Sequence, residues 1–253
     1  MDSDVRVERA EGVLAITLTR PGRRNAITVA MYAALAEAIE GASSDADVRL
    51  ITVRGEGQDF TAGNDLADFL EAMPRAEDIP VMRLLRALAV NPKPLVAAVH
   101  GNAVGIGTTM LLHCDLVIAE ESARFSMPFV DLGLVPEAAS SLLVPRLAGR
   151  RRAASWLLLG DGFGAAEARD VGLVSHVVPD GSAPAALGEM IGRLRAKPGL
   201  ALQITQDLLR RGSSAEILER IELESGYFAE RLKSEEVKRA IRAFFERKGP
   251  PSL

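Results

Sequence analysis

Two glycine-containing segments carry residues suited to binding an anionic reaction intermediate. They are residues 60–66 (FTAGNDL) and residues 101–107 (GNAVGIG), and each follows an apolar run typical of a buried strand. Glycine lets the backbone approach a ligand closely, and a helix start leaves N–H groups without an intrahelical acceptor. Two such N–H groups converging on one point would form an oxyanion hole. Ordinary tight turns are the alternative for both segments, because glycine alone does not distinguish them.

The elements that must position these segments begin with short apolar strands. Residues 13–19 alternate, with Leu14, Ile16 and Leu18 on one face, which is the period of a half-buried strand. Pro21 then ends this strand. The predicted strands are residues 5–9, 13–19, 49–54, 95–99, 116–119, 123–126 and 173–178.

Helices are predicted between the strands and dominate beyond residue 160. Thr28 is a typical N-cap for a helix that runs to about residue 40. Val81, Leu84 and Leu88 mark the apolar face of a helix over residues 79–91. Short strands with intervening helices, followed by a helical tail, predict an α/β core with an α-helical C-terminal part. The further predicted helices are residues 108–114, 165–170, 185–195, 200–211, 215–231 and 235–247.

Composition narrows the class of protein. The 253 residues carry a net charge of −4, which argues against a general nucleic-acid binder with a broad basic face. Cys114 is the single cysteine, so an internal disulfide is impossible, and a reducing, cytoplasmic location is expected. No long apolar run predicts a membrane helix, and the three histidines show no metal-ligand spacing. We therefore expect no bound metal, and neither a nucleic acid nor a membrane as a partner.

Taken together, the two glycine segments and residues 128–138 (PFVDLGLVPEA) resemble the crotonase (enoyl-CoA hydratase/isomerase) family in order and spacing. The resemblance runs from Arg20-Pro21 and Asn25-Ala26 to the C-terminal FFERK of residues 244–248. It implies a ββα spiral core over residues 1–195 and a helical trimerisation region over residues 196–253. It also implies a homotrimer or a dimer of trimers. The expected substrate is an acyl-CoA thioester, with coenzyme A entering as part of the substrate and no permanently bound cofactor.

The resemblance assigns roles to individual positions. The two oxyanion-hole N–H groups fall on Asn64 and on Ile106, which replaces a more usual glycine. The family's hydratases carry two glutamates, and the matching positions here are Thr109 and Phe129, neither of which transfers a proton as a carboxylate does. Glu137 matches instead the glutamate of the family's 3-enoyl-CoA to 2-enoyl-CoA isomerases. The resemblance thus implies an isomerase that stabilises a thioester enolate.

Glu137 is the single acid/base group in this interpretation. One carboxylate suffices, because it can remove a proton from C2 and return it to C4. Such a base needs a pKa raised by apolar surroundings, which Val135, Pro136 and Ala138 provide in sequence. The alternative for Glu137 is a solvated loop residue, or a first-turn helix residue favoured by the dipole. A hydratase or another crotonase-type reaction, and an acyl-CoA-binding protein without catalysis, stay open as alternatives.

The resemblance also implies contacts with coenzyme A. A basic residue beside the CoA phosphates is expected at Arg24, although a basic turn is more often only solvated. Asp65 matches a family aspartate, and a helix cap is its alternative role. Phe245 and Lys248 match family residues near the nucleotide, with a packed aromatic ring and a solvated lysine as the alternatives. The full set expected to bind the cofactor portion is Arg24, Ala26, Ala62, Gly63, Asp65, Leu66, Phe245 and Lys248.

Overall fold

A mixed α/β fold organises the chain. The computed structural model describes residues 4–71 and 80–248. The strands are β1 (Val5–Ala10), β2 (Val13–Leu18), β3 (Leu50–Gly55), β4 (Leu95–Val99), β5 (Asn102–Val104), β6 (Leu116–Glu120), β7 (Arg124–Ser126), β8 (Phe163–Gly164) and β9 (His176–Val178). The helices are α1 (Val29–Ser44), α2 (Leu66–Glu71), α3 (Pro80–Val90), α4 (Ile106–Thr109), α5 (Ser140–Leu158), α6 (Ala165–Asp170), α7 (Ala183–Arg195), α8 (Gly199–Arg210), α9 (Ser214–Leu232) and α10 (Glu235–Lys248).

Two sheets of the described residues build the core. The larger has the order β1-β2-β3-β4-β6-β9, in which β1 pairs antiparallel with β2 and the remaining neighbours are parallel. The smaller has the order β5-β7-β8. Parallel neighbours require crossover connections, and α1, α3 and α4 with its following turn provide them between successive strands. The α/β class predicted from the alternation of strands and helices is confirmed.

β4 lies at the centre of the larger sheet and is buried on both faces. All five residues of Leu95–Val99 are buried, as expected for a parallel strand covered by helices. Leu95, Ala97 and Val99 belong to the main core, which includes the apolar faces of α1 and α3. Val96 and Ala98 belong to a second cluster formed with α7. Each fully buried aliphatic side chain stabilises the fold by about 1.5–3 kcal/mol, so this strand anchors the glycine segment of residues 101–107 that follows it.

Several predicted elements differ from the observed ones. The predicted helix over residues 108–114 is instead α4 followed by a 3-10 turn at Met110–His113, and α4 starts earlier, directly after Gly105. The predicted strand over residues 173–178 shortens to β9. Thr28 caps α1 as predicted, since its side chain accepts a hydrogen bond from the Met31 N–H at 3.2 Å.

β5, β8 and α5 were not predicted from the sequence. β5 and β8 are only three and two residues long, which is too short for a visible period. α5 contains Pro145 and a non-helical Gly149, with φ 76° and ψ 155°, which interrupt the helical pattern.

The C-terminal helices cover part of this core. α9 packs against α3 and α5, and α10 packs near the turn at Val130–Leu132. Ile221 of α9 and Val237 of α10 are fully buried in the main core. In the described part of the chain, no helix combines the length and the apolar character needed to cross a lipid bilayer.

Candidate active site

Asn25 and Asp59 fix the two glycine segments to one another. Asn25 is fully buried, and its side-chain amide donates to the backbone oxygens of Glu56 and Asp59, both at 2.8 Å. The buried Asp59 carboxylate accepts from the Asn102 backbone N–H at 2.9 Å and from Arg24 Nε at 2.7 Å. Burial alone would raise the pKa of Asp59, but the hydrogen bonds from Arg24 and Asn102 outweigh it and lower the pKa to about 2. The charged Asp59 carboxylate therefore joins the two segments through its hydrogen bonds.

Glycine permits the close approach of the two segments. Thr61 N–H donates to the Asn102 oxygen at 3.0 Å, and Val104 N–H donates back to the Thr61 oxygen at 3.1 Å. Gly63 has φ +86°, and a Cβ on it would lie 2.7 Å from the Val104 oxygen. A Cβ on Gly107 would lie 2.4 Å from the Thr61 methyl carbon. These separations are shorter than van der Waals contact, so side chains at either glycine would push the segments apart.

The backbone N–H groups of Asn64 and Ile106 are left available at this junction. The neighbouring N–H groups are used, because Asp65 N donates to the Ile27 oxygen and Gly105 N to the Ser126 oxygen, both at 2.9 Å. Within residues 4–71 and 80–248, neither the Asn64 N–H nor the Ile106 N–H donates to a protein acceptor. Ile106 begins α4, where helix geometry provides no intrahelical acceptor. Both groups can therefore donate to a ligand oxygen, and their oxyanion-hole role stays a prediction.

Glu137 lies in a buried, weakly polar environment. Its side chain is only 6% exposed, and its Oε1 accepts a hydrogen bond from the fully buried Thr109 hydroxyl. Burial raises the pKa of Glu137 to about 8; the Thr109 hydrogen bond lowers it, and the charge of Glu224 raises it further. A carboxyl group with this pKa is present in both protonation states near neutral pH, which is the property that general acid–base catalysis requires. Neither the solvated-loop nor the helix-first-turn alternative fits this environment.

Thr109 therefore has a contact that sequence reasoning missed. The resemblance identifies this position only by the missing glutamate, whereas the structure shows that the Thr109 hydroxyl donates to Glu137. Thr109 lies three residues after Ile106 and so shares its face of the helix, but this spacing does not indicate a contact with Glu137, 28 residues away. Phe129, at the second matched glutamate position, is 5% exposed and contributes apolar surface.

Tyr32 of α1 is a second residue missed from the sequence. Its buried hydroxyl donates to the side-chain oxygen of Asn64 at 2.5 Å. Burial, with a further contribution from the charge of Glu137, raises the pKa of Tyr32 well above its usual value. Tyr32 is therefore a neutral donor that fixes the Asn64 side chain. A buried tyrosine needs a hydrogen-bond partner, but its place in an apolar helix did not indicate which.

Glu224 of α9 is a third missed residue. Its buried carboxylate accepts hydrogen bonds from the backbone N–H groups of Ala139 and Ser141, at 2.6 and 2.9 Å. Burial raises the pKa of Glu224, against the lowering effect of these hydrogen bonds. No local pattern connects residue 224 with residue 139, so the sequence carried no signal for this contact.

The residues predicted to contact coenzyme A form one cluster where they are described. Ala62 N–H donates to the Arg24 oxygen at 2.8 Å, and the Ala26 oxygen accepts from Arg20 Nη1 at 2.9 Å. Arg24 is half exposed, so its guanidinium can face both Asp59 and solvent. Gly63 and Leu66 lie in the same stretch of chain, on either side of Asn64 and Asp65.

Asp65 has protein partners for its carboxylate. It accepts from Arg20 Nη1 at 2.7 Å and from the backbone N–H groups of Ala67 and Asp68 at 3.2 and 3.3 Å. Burial alone would raise the pKa of Asp65, but these contacts together outweigh it and lower the pKa. The two backbone N–H groups are those at the start of α2, so Asp65 caps this helix. The structure therefore gives Asp65 the helix-cap role. Phe245 and Lys248 fall in α10, but their side chains lie outside the described part of the structure.

A surface cavity of about 330 Å³ lies elsewhere, bordered by Leu111, Leu173 and other residues. None of the three groups predicted to act in catalysis lines it. In the described structure, its charged groups are ion-paired: Asp115 with Arg210 at 3.2 Å and Arg146 with Glu216 at 2.5 Å. This cavity offers no acid–base chemistry comparable to that around Glu137.

Comparison with known proteins resolves the family. A model described as enoyl-CoA hydratase/isomerase matches residues 8–252. The chain belongs to this family. Enoyl-CoA delta isomerase 3, peroxisomal, of Mus musculus is 34% identical, with 99% of this chain and 80% of that protein covered. The 2,3-dehydroadipyl-CoA hydratase of Escherichia coli K12 is 32% identical, with 98% of each covered.

The fold agrees with that assignment. A solved structure of an enoyl-CoA hydratase/isomerase from Pseudoalteromonas atlantica T6c superposes with a TM-score of 0.92 at 38% identity, covering 98% of each chain. The crotonase fold predicted from the resemblance is thereby confirmed, and the chain is a crotonase-family enzyme acting on acyl-CoA thioesters. Because both isomerases and hydratases are among its relatives, family membership alone does not select the reaction.

Proposed function

We propose that this enzyme is an enoyl-CoA isomerase that moves a double bond from position 3 to position 2 of an acyl-CoA thioester. Glu137 is the single acid/base group, and the N–H groups of Asn64 and Ile106 form the oxyanion hole. The observation that carries the proposal is the buried Glu137 carboxyl, held by the Thr109 hydroxyl and with its pKa raised to about 8.

The reaction follows from the properties of these groups. The Glu137 carboxylate takes a proton from C2, and the electron pair of the broken C–H bond delocalises onto the thioester oxygen. The two N–H groups donate to that oxygen, because they are strongest as donors where negative charge develops. The protonated Glu137 then gives the proton to C4, and the double bond forms between C2 and C3. No water or external oxidant is consumed.

Two observations favour isomerisation over hydration. Hydration by the family's two-glutamate route needs carboxylates at the positions of Thr109 and Phe129, and this chain has a hydroxyl and a phenyl ring there. Thr109 is also engaged with Glu137. Hydration or another crotonase-type reaction is nevertheless the second candidate, because relatives include a hydratase. A non-catalytic acyl-CoA-binding protein is the third.

The cluster around Arg24 is the proposed binding site for the coenzyme A portion. The support is that this stretch is joined by backbone hydrogen bonds: the Ala62 N–H donates to the Arg24 oxygen, and the N–H of Ile27, next to Ala26, donates to the Gly63 oxygen, both at 2.8 Å. Leu66 lies two residues beyond Asn64. Asp65 would act indirectly, by capping α2. Phe245 and Lys248 are proposed to contact the nucleotide. Arginine suits a phosphate because its guanidinium presents several donors in one plane.

We further propose that residues 196–253 assemble the enzyme as a homotrimer or a dimer of trimers, with residues 1–195 as the spiral core. The support is an exposed apolar stripe on α8: Leu200, Ile204 and Leu208 are 71%, 50% and 60% exposed at a spacing of one helical turn. Light scattering would test this proposal, and a monomer in solution would contradict it. A cytoplasmic location stays a prediction.

Turnover by the wild-type protein tests the reaction directly. A 3-enoyl-CoA substrate should yield the conjugated 2-enoyl-CoA, detected by its ultraviolet absorbance. The same protein should add water to a 2-enoyl-CoA far more slowly, as followed by the mass of the product. Hydration without isomerisation would favour the second candidate, and tight binding without turnover would favour the third.

A further inference from the structure

The chain directly after Glu137 has an unusual backbone conformation. Ala138 and Ala139 both have φ +57°, a left-handed region that residues other than glycine rarely occupy. α5 begins immediately afterwards at Ser140. Two consecutive alanines in this conformation are unfavourable unless surrounding contacts enforce it, and such strain often occurs at functional sites.

Contacts from outside the segment hold it in place. Glu224 Oε2 accepts from the Ala139 N–H at 2.6 Å, and Oε1 accepts from the Ser141 N–H at 2.9 Å. One turn earlier on α9, Arg220 Nη1 donates to the Ser141 hydroxyl at 3.1 Å. The carboxylate also lies at the start of α5, where helix N–H groups favour negative charge. The Glu224 side chain, from one of the C-terminal helices, thus accepts hydrogen bonds from the backbone on both sides of residue 140.

A third contact comes from the turn after α4. His113 Nε2 lies 2.9 Å from the Ala138 oxygen, so it donates to that oxygen. Burial, with a further contribution from Arg210, lowers the pKa of His113 to about 4, and the histidine is therefore neutral. His113 and Glu224 contact the peptide group that joins Ala138 to Ala139. His113 donates to its oxygen and Glu224 accepts from its N–H, so both ends of this peptide group are held.

We infer that Glu224 is a positioning residue for the reaction: its carboxylate holds the backbone of residues 138–141 in the conformation that presents Glu137 to the substrate. This inference rests on the proposed function, in which Glu137 is the base. A misplacement of the reacting group by about 1 Å can reduce a rate by roughly 100-fold. Loss of the hydrogen bonds between Glu224 and this backbone should therefore slow turnover.

The charge of Glu224 adds an electrostatic effect. It raises the pKa of Glu137, because two negative charges close together are unfavourable. The other titratable groups facing this region in the described structure are Tyr32 of α1, the neutral His113 and Arg220. Replacing Glu224 by glutamine removes one negative charge and leaves these groups in place. The pKa of Glu137 should then fall. If Glu224 had only a structural role, its replacement would give no consistent fall in the pKa of Glu137.

The test compares Glu224→Gln with Glu222→Gln, which removes an equal charge from an exposed position of the same helix, paired with Arg86. Glu224→Gln should lower kcat by roughly 10- to 100-fold with little change in KM. The rising limb of the pH profile of kcat should move to lower pH. Glu222→Gln should change neither. A kcat or a pH profile for Glu224→Gln equal to that of Glu222→Gln would overturn the inference.

Two readouts do not depend on which reaction the enzyme performs. In protein labelled with ¹³C at the glutamate carboxyl, the Glu137 signal, assigned by its loss in Glu137→Gln, should titrate at lower pH in Glu224→Gln. Hydrogen exchange at residues 138–141 should also become faster. If the wild type fails to isomerise, the proposed function is refuted, while an unmoved titration and unchanged exchange would separately refute the role of Glu224.

A conservative variant covers the case in which Glu224→Gln does not fold. Glu224→Asp keeps the charge but shortens the side chain by one methylene, so both hydrogen bonds should weaken. It should lower kcat while leaving the titration of Glu137 close to that of the wild type. A wild-type kcat in Glu224→Asp would overturn the positioning role, because the two hydrogen bonds to the backbone depend on the length of this side chain.

Discussion

The hydrogen bond from Thr109 to Glu137 should set the pH at which the enzyme becomes active. Thr109→Val removes the hydroxyl but keeps the shape of the side chain. A hydrogen bond to a charged group contributes about 1.5–3 kcal/mol, and it stabilises the carboxylate form of Glu137. Its loss should raise the pKa of Glu137 from about 8 by a further amount of about 1 to 2. At pH 8 the fraction of carboxylate, and with it kcat/KM, should fall about 5- to 50-fold.

The assay is kcat/KM for a 3-enoyl-CoA measured as a function of pH. The rising limb of the Thr109→Val profile should move to higher pH, and activity should recover where Glu137 is fully ionised. Thr109→Ser is the matched control, because it keeps the hydroxyl and loses only the methyl group, and its profile should stay near that of the wild type. An unmoved rising limb in Thr109→Val, or one moved to lower pH, would refute the reasoning.

Three further changes should give separate outcomes. Glu137→Gln should stabilise the fold at pH 8.5 by an amount on the order of a few kcal/mol, and much less at pH 5. The folded-state pKa of about 8 exceeds the usual 4.5, so the stability that protonated Glu137 contributes is lost progressively as pH rises from 4.5 to about 8. Calorimetry that finds no pH-dependent difference would contradict this. Tyr32→Phe should cost about 0.5–1.5 kcal/mol of unfolding free energy in denaturant titrations, and should lower kcat by freeing the Asn64 side chain. Arg24→Gln should raise KM about tenfold, and it should also lower kcat, because the buried Asp59 carboxylate between the two glycine segments loses its charged partner. A substitution of its exposed neighbour Arg23 should change neither, and an unchanged KM in Arg24→Gln would remove Arg24 from the proposed binding site.

The sequence predicts those parts of the fold whose signals are local. β4 was predicted with the observed bounds because its apolar run is continuous, and the Thr28 cap because N-capping depends on the next three residues. α5 was missed because Pro145 and Gly149 break its pattern, although the tertiary packing of α9 supports the helix. Local periodicity carries no information about such support.

The same distinction applies to the candidate site. Glu137 and the two glycine segments were found because each occupies a recognisable stretch of chain. Tyr32 and Glu224 were not found, since their contacts with Asn64 and Ala139 join residues 32 and 85 positions apart. Which buried polar side chain meets which loop depends on how the helices pack. The sequence could thus indicate candidate residues for the site, but not the side-chain contacts that hold them in place.

The central claim is that Glu137 is the acid/base group of an isomerisation, and the effect of Glu137→Gln on kcat/KM for a 3-enoyl-CoA tests it most directly. The control is Glu121→Gln, which makes the same chemical change at an exposed position. We predict a loss of roughly 100-fold or more for Glu137→Gln, with acyl-CoA binding and the oligomer retained, and no change for the control. Equal rates for the wild type and Glu137→Gln would contradict the account, because no single carboxylate at this position would then carry the proton.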